Sequence, residues 1–371
     1  MNRVKGLVCY NCGEKFSFDQ TLFGCPQCEH SLDIEYDYSE IGKIVQKHKK
    51  EFLKQHPSHW KYWMFYPVRE QSRVTMGEGG TALVQSREHE QLMFKNEALN
   101  PTGSFKDRGS AVELSRVREL KKHEVACAST GNMGASVAAY CSRVGIKAHI
   151  YVPSFAPRVK LLQMKMHGAK VQKIAGSYEK VLQVTRDLHL KKGIYLTGDY
   201  PMRGEGEKSV GFEIMDQCEW KAPECVIAPI GNGTLIYGIY KAMAELKEVG
   251  LAKKIPKIIG VQAKNCNPVY RAYVEGLEFV PIVKNPKTVA TAIACGYPVD
   301  GKQALNAVKK SKGEVLQVSE IEIMSARKEL AKEGLFAEPA GAVAYAGFRN
   351  LHPEGKTVCV ITGHGLKDPF R

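Results

Sequence analysis

From about residue 92 onward, short apolar runs alternate with helical stretches, and no other feature narrows the fold of this 371-residue chain as far. The runs Met93–Asn96, Val125–Ala128, Ala148–Val152, Val171–Ile174 and the segment near Tyr195 read as strands. So do Val226–Ile230, Lys257–Gln262, Val315–Val318 and Thr357–Ile361. Between them, Gly134–Val144, Arg158–His167, Tyr178–Leu190, Leu235–Glu248, Asp300–Ser311 and Glu320–Glu333 read as helices, the last opened by a Ser319/Glu322 capping box. Such alternation specifies an α/β fold with mostly parallel sheets. Ligands in these folds bind at the carboxyl ends of strands, in the turns that lead into helices.

Composition sets the class. Hydrophobic residues make up 44% and charged residues 25%, which excludes a disordered or fibrous chain. No apolar run is long enough for a membrane helix. Met1–Val8 does not read as a secretory leader, so the cytoplasm is the expected compartment. The net charge of +14 favours anionic partners. Apart from a patch at Lys43–Lys54 the charge is dispersed, which fits a solvated face and small acidic ligands better than nucleic acid.

Four of the 11 cysteines form two C-x-x-C turns, Cys9/Cys12 and Cys25/Cys28. Two such turns facing each other make the closed tetrahedral thiolate shell that zinc prefers, a structural rather than a catalytic arrangement. The competing reading is a pair of redox dithiols. Phe16, Phe18, Leu22 and Phe23 are expected to form a small core under the metal. The other seven cysteines, Cys127, Cys141, Cys218, Cys225, Cys266, Cys295 and Cys359, read as buried thiols. The aromatic stretch that follows, with Trp60, Tyr62, Trp63, Phe65 and Tyr66, reads as an arm packing the ribbon onto the body.

Three turns carry candidate chemistry. In Asn100–Gly109, Ser104 is placed to cap a helix whose first turn contains Lys106. A cation there opposes the helix dipole, which predicts a lowered lysine pKa and a nucleophilic amine. Ser129–Gly134 follows one strand and opens a helix, a site for a carboxylate or phosphate. Gly231-Asn232-Gly233-Thr234 follows another, with glycines that admit a phosphate. Each alone is equally compatible with a solvated lysine or an ordinary connecting loop. Together, and without a dinucleotide fingerprint, a lysine and two anion-binding turns suggest pyridoxal 5'-phosphate (PLP).

The run Lys95–Leu99 leading into N-P-T-G-S-F-K-D-R-G closely resembles the lysine motif of the threonine synthase family. Gly77–Thr81, Glu338–Ala342, Thr362–Pro369 and the four-cysteine ribbon are similar to that family's segments, in the same order. The resemblance implies a fold type II PLP enzyme: a two-domain, tryptophan synthase β-subunit-like α/β fold with an N-terminal zinc ribbon. It places the ribbon at residues 1–37, an arm at 38–91, a large PLP domain at 92–115 and 206–371, and a smaller mobile domain at 116–205. It implies that Lys106 carries the cofactor and moves protons, and that Asn132 bonds the cofactor's 3′-oxygen. Ser129, Thr130 and Gly131 would hold the substrate carboxylate. Gly231, Asn232, Gly233 and Thr234 would hold the cofactor phosphate, and Thr362 would face the pyridine nitrogen. Arg203 and Lys208 would serve the phosphate of a small phosphorylated amino acid. A homodimer is common in the family.

Two segments depart from the family pattern. Met133-Gly134 stand where Thr-Ser is usual, and Tyr200 and Glu207 stand where asparagine and glutamine are usual. A carboxylate near a substrate phosphate costs affinity unless a cation offsets it. The expected reaction is conversion of O-phospho-L-homoserine and water to L-threonine and phosphate. Its alternatives are β-replacement on O-phosphoserine with sulfite, as in cysteate synthase, another PLP lyase or dehydratase, and a binding module on an inactive body.

Overall fold

A computed structural model describes residues 3–54, 58–129, 131–154, 158–175 and 178–368. Three sheets organise them. The first is a small antiparallel sheet of Val4–Cys9, Lys15–Phe16 and Leu32–Tyr36, which carries the four paired cysteines. The second has six strands, with Thr357–Ile361 at its centre between Cys225–Pro229 and Leu92–Asn96, both parallel to it. Lys257–Ala263 and Val315–Val318 extend one side in parallel, and the antiparallel Leu83–Gln85 closes the other. The third is all parallel, in the order Lys170–Ile174, Lys147–Pro153, Glu124–Ala128, Tyr195–Thr197. Every residue of Cys225–Pro229 and Thr357–Ile361 is buried. That is the pattern of strands covered by helices on both faces.

The strands and helices expected from the alternation are present, with small displacements at their ends. The Ser319/Glu322 capping box is formed as expected. The structure adds helices Pro201–Glu207, Ser209–Gln217 and Pro268–Val274, which the alternation does not predict. Gly204 and Gly206 weaken the helical signal of the first, yet packing requires glycine there. Helix Lys106–Glu119 lies so close that a Cβ at Gly206 would overlap the Arg108 carbonyl. Conversely, a Cβ at Gly109 would stand 2.6 Å from Arg203 Cγ.

The aromatic arm packs on the body as expected. Phe65 and Tyr62 stack against Phe212, at 4.7 and 5.2 Å between ring centres. The aromatics of the ribbon behave differently from expectation. Phe23 meets His189, Tyr195 and Tyr200 edge-on, and Arg116 lies over Phe18 at 4.4 Å. They face the body instead of forming a core of their own, since a unit this small has too little apolar surface to stand alone. Among the other cysteines, Cys218 and Cys295 are only half-buried.

At the centre lies a buried ionic network. Arg108, 0% exposed, donates to Glu97 Oε2 (2.6 Å) and Oε1 (2.8 Å), and to Glu213 Oε1 (2.8 Å) and Oε2 (2.7 Å). It also reaches Thr81 and Ser209. Lys95 Nζ joins Glu213, Gln217 and the Thr81 carbonyl. Removing one member of such a network leaves an uncompensated buried charge, at a cost of about 3–5 kcal/mol. Arg108→Met should therefore unfold at markedly lower urea concentration than the wild-type chain. A shift of under about 1 kcal/mol, the scale of an exposed ion pair, would show that the network contributes little.

Candidate active site

Lys106 opens its helix at the point where the two larger sheets meet. The preceding turn is closed by Asp107, whose carboxylate accepts from Thr102 N (2.6 Å), Thr102 Oγ1 (2.7 Å) and Ser136 Oγ (2.6 Å). Burial pushes that carboxyl up to about 6 against these donors. The turn is then stitched to the C-terminal motif. Phe105 N donates to the Thr362 carbonyl (3.1 Å) and His364 N to the Gly103 carbonyl (2.9 Å). The expected cap is not formed: the Ser104 hydroxyl is buried and finds no partner among the described residues, and Phe105 occupies the cap position.

The carboxyl ends of five parallel strands converge here, as the ligand rule requires. Glu97–Lys106 follows Leu92–Asn96, Thr362 follows Thr357–Ile361, and Gly231–Thr234 follows Cys225–Pro229. From the smaller sheet, Ser129–Asn132 follows Glu124–Ala128, and Gly198–Tyr200 follows Tyr195–Thr197. Asn132 Nδ2 donates to Glu338 Oε1 (2.8 Å), and Glu338 N donates to the Gly363 carbonyl (3.0 Å). The Ser129 hydroxyl accepts from Gly134 N (2.9 Å) and Gly131 N (3.3 Å). Thr130 lies outside the described residues. Gly233 has φ +105, and a Cβ there would come within 2.5 Å of the Asp300 carbonyl, so that turn requires glycine. His364 shapes its own turn by accepting from Leu366 N.

Lys106 Nζ lies between two carboxylates, donating to Glu207 Oε1 (2.9 Å) and Asp199 Oδ1 (3.3 Å). Asp199 Oδ2 in turn accepts from Asn232 Nδ2 (2.8 Å), which ties the lysine to the glycine turn. The lowered lysine pKa expected from the helix dipole is not found. Burial acts to lower it, but the Asp199 and Glu207 charges outweigh burial and raise it. A pair of carboxylates within hydrogen-bond distance exceeds a partial dipole charge.

Arg203 and Lys208, expected to bind substrate, are fully buried and already partnered. Arg203 donates to Glu113 (2.6 Å), the Gly198 carbonyl, Ser110 and the Lys106 carbonyl. It lies behind the lysine. Lys208 sits in a separate cluster with Glu205 (2.5 Å) and Glu245 (2.9 Å), over the Tyr36 ring. Asp199 and Glu113 are not singled out by the sequence, and Asp300 and Glu338 fall in segments it marks without giving them a place at the site. Asp199 could have been found, because it occupies a turn at a strand's carboxyl end. Glu113, seven residues along the helix from Lys106, carries no local signal.

The sequence profile described as "Pyridoxal-phosphate dependent enzyme" matches residues 74–363. The chain belongs to this family. It is 40% identical to the threonine synthase of Methanosarcina acetivorans, covering 98% of this chain and 92% of that one. It is likewise 40% identical to the threonine synthase of Methanocaldococcus jannaschii, covering 97% and 92%. Maize serine racemase shares the fold, with TM-score 0.67 at 23% identity over 77% of this chain and 88% of that one. Threonine deaminase isoform 2 from Solanum lycopersicum does so with TM-score 0.66 at 24% identity, covering 76% and 78%.

The residues present fit the cofactor of a pyridoxal-phosphate dependent enzyme. A lysine amine stands at the junction, and the adjacent Thr362 hydroxyl is buried with no partner among the described residues. The glycine turn admits no side chain at 233. One feature is unusual for a phosphate nest: Thr234 Oγ1 donates to Asp300 Oδ2 (2.6 Å). Burial, with the nearby Asp199 and Glu207 charges, pushes the Asp300 carboxyl up to about 7 despite its hydroxyl donors Ser31 and Thr234. Between the unfolded value of roughly 4 and about 7, the native state binds the extra proton, so this group's contribution to stability falls as pH rises through that window. The stability deficit of Asp300→Asn relative to wild type should therefore shrink from pH 5 to pH 8 in urea titrations. A constant or widening deficit would contradict it.

Proposed function

We propose that the chain is a threonine synthase, converting O-phospho-L-homoserine and water to L-threonine and phosphate. What carries this reading is the 40% identity to two archaeal threonine synthases along almost the whole chain. Bound PLP supplies an electron sink that makes protons next to the substrate nitrogen removable. Lys106 would hold the cofactor and then, as a free amine, take the α-proton and a β-proton. The phosphate would leave from Cγ, water would add its hydroxyl at Cβ and its proton to the phosphate, and the two protons taken would be returned at Cγ and Cα. Thr362 would meet the ring nitrogen with a hydroxyl, which leaves that nitrogen unprotonated. Asn132 would bond the 3′-oxygen, and Gly231, Asn232, Gly233 and Thr234 would hold the cofactor phosphate. Ser129, Thr130 and Gly131 would receive the substrate carboxylate at the start of a helix. Arg203 could take a substrate phosphate oxygen only by releasing Glu113, whose carboxyl burial pushes up to about 7 even beside that guanidinium. Lys208 would need a comparable exchange with Glu205 and Glu245, and its burial beneath Tyr36 argues for a supporting role.

The test is phosphate release with product identification from two incubations of the cofactor-loaded protein. O-phospho-L-homoserine alone should yield phosphate and threonine, whereas O-phospho-L-serine with sulfite should yield neither phosphate nor cysteate. The opposite pattern would replace this reading with β-replacement. Lys106→Ala should lower turnover by about 10³-fold or more, within the usual range for a lost acid–base group.

The ribbon would hold zinc. The Sγ atoms of Cys9, Cys12, Cys25 and Cys28 lie within 4.8 Å of one another. The Cys9–Cys28, Cys12–Cys28 and Cys12–Cys25 separations are 3.4, 3.6 and 3.7 Å. A tetrahedral shell with bonds of about 2.3 Å requires edges of roughly 3.8 Å. Elemental analysis should find about one zinc per chain, and its removal should lower the melting temperature. Zinc-free protein of unchanged melting temperature would reject the site.

A further inference from the structure

The charges around Lys106 leave one proton without an assigned place. A lysine that abstracts protons must first lose its own, yet here it is an ammonium between two carboxylates. Those carboxylates are not equivalent. Asp199 has both oxygens bonded, Oδ1 by Lys106 and Oδ2 by Asn232. Glu207 is fully buried, Oε1 accepts from Lys106, and Oε2 finds no partner among the described residues. A carboxylate with one unbonded buried oxygen is the poorer anion of the two. It is the one that gains by becoming a neutral acid.

We propose that Glu207 accepts the proton of the Lys106 ammonium and returns it, acting as the proton store that sets the lysine amine free. The step balances within the pair: the N–H bond at Nζ breaks, an O–H bond forms at Glu207, and an ion pair becomes two neutral groups. Burial favours that conversion, because it penalises charged forms. The groups facing the pair are Asp199, Arg203 and Asp300, with Glu113 behind Arg203. Burial raises the Glu207 carboxyl against the pull of Lys106, whereas the Lys106 and Arg203 cations and the Asn232 amide hold Asp199 below its ordinary value despite burial. Two acids driven apart in this way mark a division of roles, one staying ionised and the other carrying the proton.

This rests on Lys106 being the reacting amine, and its test separates the two claims. In cofactor-free protein, the pH midpoint for labelling Lys106 with an amine-reactive reagent should fall in both Glu207→Gln and Asp199→Asn, by about 1 unit or more for a lost partner charge. In loaded enzyme, Glu207→Gln should lower kcat by about 10²-fold with KM little changed, and should lose the acidic limb of the kcat profile. Asp199→Asn should keep that limb. Circular dichroism and melting temperature check that both variants fold. An unmoved labelling midpoint in Glu207→Gln would overturn the contact itself. Loss of the limb in both variants, or in neither, would overturn the proton store while leaving the lysine assignment in place. If the loaded wild-type protein acts on neither phosphorylated substrate, the labelling result still decides the pairing.

Discussion

Everything around the lysine depends on the Arg108 guanidinium. It is the third residue of the Lys106-Asp107-Arg108 run, and each of the three is assigned elsewhere by its neighbours. Asp107 closes the turn on Thr102 and the helix at Ser136. Arg108 ties the end of one central strand, through Glu97, to helix Ser209–Gln217, through Glu213. With the two side chains that follow it directed into buried bonds, Lys106 is left to meet Asp199 and Glu207. A buried ionic network is poor evidence of net stability, since apolar packing of the same volume would often do as well. Its value here is positional: it fixes one lysine at the head of a helix against the cost of like charges and dipole.

The local charge balance differs from what a phosphate-handling site would simply require. Four carboxyl groups, Asp199, Glu207, Glu113 and Asp300, lie within the same buried region as Lys106 and Arg203. Two cations cannot neutralise four anions, and a low-dielectric interior penalises the difference steeply. Burial is the main cause that pushes Glu113 and Asp300 each up to about 7, so both can take up a proton near neutral pH. Near neutral pH such groups change from acceptors into donors. A dianionic ligand can then be received by neutral acids and hydroxyls where fixed negative charge would repel it. The glutamate at 207, where the family usually has glutamine, lies within this group of buried carboxyls.

What could be read in advance divides along the same line. Most of the parallel strands are local and largely buried, so their apolar runs are plain, and so are the turns at their ends. The four cysteines were plain because metal geometry demands their spacing. The buried surroundings of Arg203 are not legible in the sequence, because its partner Glu113 is 90 residues away and on another element. The Lys106 pKa is raised where helix position alone predicts it lowered, for the same reason. Dipole and helix position are local, but Asp199 and Glu207 arrive through tertiary structure. Ser104 fits the pattern of a cap, yet it bridges to Gly363, and its hydroxyl finds no partner among the described residues.

The ribbon extends this dependence beyond the lysine. Ser31, three residues past Cys28, donates to Asp300 Oδ1 (2.6 Å), and Asp300 Oδ2 accepts from Thr234 at the glycine turn (2.6 Å). Lys241 bonds Asp33 (2.5 Å) and the Ile34 carbonyl (3.0 Å) on the third ribbon strand, and also Glu205 beside the lysine helix (2.6 Å). On its other side, Phe23 packs into the smaller sheet at Tyr195 and Tyr200. A unit with no core of its own takes its position from these contacts, and a metal held by the four cysteines would add the rigidity it lacks. It therefore contacts helices attached to the six-stranded sheet and, through Tyr195, a strand of the smaller one. A ribbon held open or misfolded would leave Asp300 without one of its two hydroxyl donors and the glycine turn without its support. The four cysteines, far from the lysine in sequence, belong to the same mechanical unit as the site.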